Sequence, residues 1–124
     1  MKSAAAERKA SQKQQDLDVA MAAAIAKLPD KKREMAETID GIVREHAPML
    51  AAKTYYGMPG WAREGKVCVF MSPASKFGVR YSTIGFEQTS NLDDGDMWPT
   101  SFALLKIGPA EEKRITALVK KAVS

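Results

Sequence analysis

Six side chains in this chain are of the types that small-molecule sites use: Tyr56, Met58, Trp61, Lys76, Tyr81 and Trp98. Ligand clefts are walled by large apolar and aromatic groups, with a few polar ones that orient the guest. With Arg80 close to Lys76 in sequence, these residues are expected to rim one concave cleft. It would take a small ligand, a metal ion or a partner protein. The alternative for each ring is packing, with its polar tip at solvent. Trp61 separates the two, because a rim tryptophan can be truncated without loss of the fold and a core tryptophan cannot.

The acidic residues Asp93, Asp94 and Asp96, with Glu87 upstream, form a second group. Hard cations want several oxygen ligands. The spacing does not follow the Asp-x-Asp-x-Asp-Gly order of a calcium loop. Asp-Asp-Gly-Asp is also a strong turn former. A solvated turn is expected, and no metal ligand is assigned. Catalysis finds no constellation: no Gly-x-Ser-x-Gly, phosphate-cradling loop, dinucleotide fingerprint or His-Glu-x-x-His occurs. His46 is expected on the last turn of a helix, satisfying terminal carbonyls. Cys68 is expected inside an apolar strand as a small hydrophobe. The reading is a non-enzymatic binding module without a cofactor.

The elements that must position these residues follow from periodicity. Leu17, Met21, Ala24, Ile25 and Leu28 recur at helical spacing, with Asp16 or Asp18 placed to cap the start. Pro29 breaks that helix, and Asp30 is expected to cap a second one. Met35, Ile39, Ile42 and Val43 form its apolar stripe, and Pro48 stops it. Strands are expected at 53–57, from Trp61, at 66–72, at 76–84 and at 101–107, with a hairpin turn at Glu64-Gly65. An irregular acidic loop spans 85–100. Gly108-Pro109 opens a last helix with Ile115, Leu118, Val119 and Ala122 on one face. Strands joined by hairpins pair antiparallel. The fold class is therefore α+β: a two-layer domain with a mostly antiparallel sheet of about five strands, two N-terminal helices and one C-terminal helix.

A chain of 124 residues fits one domain, assigned here to residues 16–124. Residues 1–15 combine helix-compatible composition with no apolar stripe and are expected to form a basic, flexible extension. That segment carries Lys2, Arg8, Lys9 and Lys13 against Glu7, most of the overall +4. The rest holds 15 basic and 14 acidic residues, so nucleic acid is not the expected partner of the body. A salt-sensitive contact through the tail is the alternative. No run approaches the ~20 apolar residues of a membrane span. The N-terminus has no apolar signal-type core, so the cytoplasm is the expected compartment. The open edges of an antiparallel sheet leave room for a homodimer.

The combination Tyr56-Gly57-Met58-Pro59, the hairpin into Gly65-Lys66-Val67, Lys76-Phe77 and the C-terminal helix resembles the YdhG-like family. These are small bacterial domains of unknown function. The helix ending at Ala47-Pro48 fits as well, so the resemblance covers residues 16–123. The run Met97 to Leu104 is similar to one branch. Family members are filed as iron chaperones with a frataxin-like fold. The resemblance thus implies delivery of ferrous iron by surface carboxylates. This chain departs from that pattern at Lys31, Lys32 and Arg33, which open the second helix where an acidic ridge would lie. It also has Phe77 and Gly78 after Lys76, where the family commonly has a histidine.

Overall fold

The computed structural model describes residues 4–124. Two helices come first, α1 (Ala4–Ala26) and α2 (Asp30–His46). Strands β1 (Ala51–Ala52), β2 (Gly60–Arg63) and β3 (Lys66–Ser72) follow, then a one-turn helix α3 (Ala74–Phe77). Strands β4 (Ser82–Phe86) and β5 (Ser101–Leu104) lead into α4 (Pro109–Ala122). The strands pair antiparallel in chain order, β1-β2-β3-β4-β5. This is the α+β architecture that the periodicities predict.

The core lies between the sheet and the helices. Met21 and Ile25 of α1, Met35, Ile39 and Val43 of α2, and Ile115, Val119 and Ala122 of α4 meet Trp61, Val69, Met71 and Ile84 in one buried cluster. The α2 residues recur every three or four positions, so one stripe of the helix is apolar and buries as a unit. Along β3, Val69 and Met71 share a face two residues apart, and that face looks toward the helices.

Trp61 is the largest fully buried side chain, 1% exposed. Its indole N–H cannot be left unpaired in a dry interior. It donates to Asp40 Oδ1 on α2 at 2.9 Å. The other oxygen, Oδ2, accepts from Arg44 Nε one turn later at 2.8 Å. That carboxylate, by hydrogen bond and by charge, raises the Arg44 pKa above its ordinary value. One side chain therefore joins the helix layer to β2.

Four local expectations are corrected. The helix does not start at Asp16 or Asp18 but runs back to Ala4, through residues assigned to a flexible extension. Ala-rich composition supplies the propensity. Gln12 and Gln14 donate to Asp16 and Asp18 one turn on, at 3.0 and 3.1 Å. Gln14 also donates to the carbonyl of Ala52 on the edge strand β1 at 3.2 Å. Residues 1–3 of that extension lie outside the described residues. Asp30 is the first residue of α2 and not its cap; Pro29 holds the cap position without a side-chain hydrogen bond.

The strand expected at 53–57 is shorter and earlier, at Ala51–Ala52. The strand expected at 76–84 is instead α3 followed by an exposed segment, with β4 starting only at Ser82. Ser82 Oγ accepts from the Ala74 N–H at 2.9 Å and holds the first turn of α3. Gly78, left-handed at φ 62°, ends it. The alternation of Phe77, Val79 and Tyr81 mimics a strand, yet all three side chains are exposed.

Truncating Trp61 should therefore damage the fold itself. Trp61→Ala is expected to cost about 3–5 kcal/mol, and Asp40→Ala about 1–3 kcal/mol by orphaning the indole N–H. Denaturant unfolding of both single variants and the double variant measures this. A double variant whose loss equals the sum of the singles would show that the two residues are not coupled.

Candidate functional site

Two tight turns flank a concave surface at one end of the sheet. In the first, the Tyr55 N–H donates to Met58 O at 2.8 Å and the Met58 N–H to Tyr55 O at 2.9 Å. The two residues between are left-handed, Tyr56 at φ 51° and Gly57 at φ 77°. That is the two-residue hairpin turn whose twist matches the flanking chain. Glycine takes this conformation freely, whereas a bulky residue rarely does. The outcome is a Tyr56 ring standing 81% exposed, edge-on to Tyr55 at 4.7 Å between centroids. In the second turn, Glu64 (φ 51°) and Gly65 (φ 82°) join β2 to β3. Lys53 Nζ donates to Gly65 O at 2.5 Å and ties the two turns together.

Between them lies a groove of about 670 Å³, lined by Lys53, Tyr55, Tyr56, Lys66, Glu87 and Thr89 among others. Phe70 stands beside it and points away from Val69 and Met71, on the side of the sheet opposite the helices. Its ring lies over Gly85, where an added Cβ would sit 2.2 Å from Cζ. From there it contacts Tyr55 at 5.2 Å between centroids. The far wall, residues 87–89, is pinned to β3: the Glu87 N–H donates to Cys68 O at 2.9 Å, and Thr89 Oγ1 donates to Val67 O at 3.2 Å. Across the groove Tyr55 donates its hydroxyl to Glu87 Oε1 at 3.2 Å. Partial burial, and after it the hydrogen bond and charge of Glu87, raise the Tyr55 pKa above that of an ordinary phenol.

The residues singled out in the sequence do not share one cleft. Tyr56 lines the groove, and Lys76 reaches its carbonyl, Nζ to O at 2.6 Å. Met58 and Trp61 are both buried, and Trp61 lies in the core cluster beneath α2. Tyr81 is exposed beside Arg80, and Trp98 packs half-buried against the core. The structure brings Tyr56 and Lys76 together; the other four are dispersed. Sequence reasoning missed Tyr55, Lys53 and Lys66, and it grouped Glu87 with the aspartates and not with Tyr55. The available signal was the pair of turn motifs, Tyr-Gly and Glu-Gly, whose flanking residues necessarily border the same surface.

Asp93, Asp94 and Asp96 are exposed, and among the described residues no group of three His, Cys, Asp or Glu side chains could hold a metal ion. Buried Cys68 contacts Ser90 Oγ at 3.2 Å. His46 ends α2, 3.7 Å from Glu45. No helix among the described residues is long and apolar enough to cross a membrane. No family model, curated protein or solved structure matches this chain.

Gly85→Ala is expected to destabilise by about 1–3 kcal/mol, since Phe70 must leave its place; unfolding of Gly85→Ala alone and with Phe70→Leu measures it, and the second change should recover part of the loss. A folded pKa raised above the unfolded value means that Tyr55 contributes stability below pH ~10 and loses it as pH rises through the folded pKa. Ultraviolet titration of the protein against Tyr55→Phe should show this phenol ionising above the ordinary phenol value. Glu87→Ala should move it part of the way down, with the contribution of burial remaining.

Proposed function

We propose that this chain is a YdhG-like, non-enzymatic binding module whose groove between the two turns holds a small planar ligand bearing an acidic group. The observation that carries the reading is Tyr56: a bulky residue kept left-handed, with its ring presented to solvent beside the groove. Strained backbone of this kind persists where the surroundings over-determine it, and it concentrates at binding sites. Exposed aromatic rings offer a flat face for stacking. Lys66 is exposed and, among the described residues, without an ion-pair partner. Lys53 adds a second positive charge, and the one carboxylate present, Glu87, is already engaged by Tyr55. The field of the groove thus favours an anion. Delivery of ferrous iron is implied by the family resemblance alone, and a single engaged carboxylate is a poor donor set for it.

A thermal-shift screen tests this with aromatic carboxylates, mononucleotides, ferrous iron and other divalent metals. A ligand that binds the folded state raises the melting temperature by mass action. Planar anions should raise it, and both Tyr56→Asn and Lys66→Glu should abolish the rise. Without ligand, Tyr56→Asn should melt no lower than the parent, because asparagine tolerates the left-handed region. Stabilisation by ferrous iron alone, or shifts that survive in both variants, would overturn the proposal.

A further inference from the structure

The flank next to that groove, where the turn between α1 and α2 meets α3, gathers cations that the overall charge balance hides. Two shallow hollows of about 680 and 490 Å³ adjoin there, sharing Pro29 and Ser75. Lys27 and Lys76 line the first, and Lys31, Lys32 and Arg80 line the second. The carboxylate among the lining residues, Asp30, is paired with Arg33 at 3.2 Å. Two rings stand beside the cations: Lys76 Nζ is 5.8 Å from the Phe77 centroid, and Arg80 is 5.3 Å from that of Tyr81. Phe77 is 57% exposed and Tyr81 39%. Lys76 uses one donor on the Tyr56 carbonyl and keeps two.

We propose that this groove binds single-stranded nucleic acid. Five cations, from the α1–α2 joint and from α3 and the segment after it, are spread over two adjoining open hollows, which matches a chain of phosphates rather than one small anion. The rings decide between polyanions. Unpaired bases stack on exposed aromatic faces, which an acidic peptide does not require and a duplex cannot reach with its bases stacked inside. The cation–ring pairs also keep both partners at the surface, where strand and base meet them together. None of these cations lines the groove of Tyr55 and Glu87. Lys76 tethers the Tyr56 carbonyl and Thr54 borders both surfaces, so the two sites are neighbours and the test leaves Lys76 unchanged.

The test is fluorescence anisotropy with labelled oligothymidylate and oligouridylate over a salt series. The parent protein should bind, with affinity falling steeply as salt rises. The pair Lys31→Glu and Arg80→Glu should weaken binding at least about tenfold and flatten the salt dependence. Phe77→Ala should weaken it about fivefold at fixed salt while leaving the salt slope unchanged. The control pair Lys9→Glu and Lys13→Glu, on the exposed turns of α1, should leave affinity within about twofold. All these side chains are exposed, and circular-dichroism melts of each variant verify the fold. Tighter binding of one oligonucleotide would name the polymer. Absence of binding, loss carried by the Lys9 and Lys13 pair, or full competition by polyglutamate with no effect of Phe77→Ala would each overturn the proposal.

Discussion

A hydrogen bond between an indole and a carboxylate sets where β2 sits, and the open side of the sheet depends on that strand. Asp40 accepts from Trp61 and from Arg44, so one α2 side chain is fixed from two directions. Trp61 in turn is surrounded by core residues of both layers. The two turns that border the groove are the approach to β2 and its exit: Tyr55 to Met58 before it, Glu64-Gly65 after it. A shift of β2 against α2 would displace both walls at once. Stability of the core and geometry of the groove are therefore coupled through one strand, even though the groove contains no residue of the core contact itself.

On the far side of the sheet, order propagates through rings. Gly85 leaves the space that Phe70 fills, Phe70 supports Tyr55, and Tyr55 borders Tyr56 while bonding Glu87. A left-handed tyrosine costs about 1–2 kcal/mol. Two backbone hydrogen bonds across the turn, each worth about 0.5–1.5 kcal/mol net, are enough to hold it, and the bond from Lys76 to the Tyr56 carbonyl adds a tether. A fixed turn bearing an exposed ring is a preorganised contact, since the backbone entropy is lost on folding and not on binding.

The layer architecture was legible because it rests on periodicity. The stripes of α2 and α4 and the Glu64-Gly65 turn lie in the chain where the patterns put them. What failed was anything decided by contacts distant in sequence. Gln14 meets Ala52, and no local pattern announces that a polar helix start will be tied to a strand 38 residues on. Ser82 caps α3 from eight residues away, so Lys76 to Tyr81 showed strand alternation without being one. For Trp61 the residue type leaves rim and packing both open, and what decides is its place in the core with the indole N–H on Asp40, 21 residues earlier. Of the six residues singled out, folding therefore places Tyr56 and Lys76 together and disperses Met58, Trp61, Tyr81 and Trp98.

Charge shows the same limit in another form. Beyond residue 15 the chain is nearly balanced, 15 basic residues against 14 acidic ones, and the balance argued against a polyanion partner. A sum over a chain carries no direction. Screening confines exposed charges to roughly 8–10 Å at ordinary ionic strength, so a partner responds to the nearest few groups and not to the total. Lys27, Lys31 and Lys32 come from the joint between two helices, and Lys76 and Arg80 from α3 and the segment after it. Asp93, Asp94 and Asp96 lie elsewhere, in the acidic loop between β4 and β5, and Asp30 on the flank itself is paired with Arg33. Folding separates the signs that composition averages, so a neutral body can present a strongly basic flank, and the polarity of that flank belongs to the tertiary structure alone.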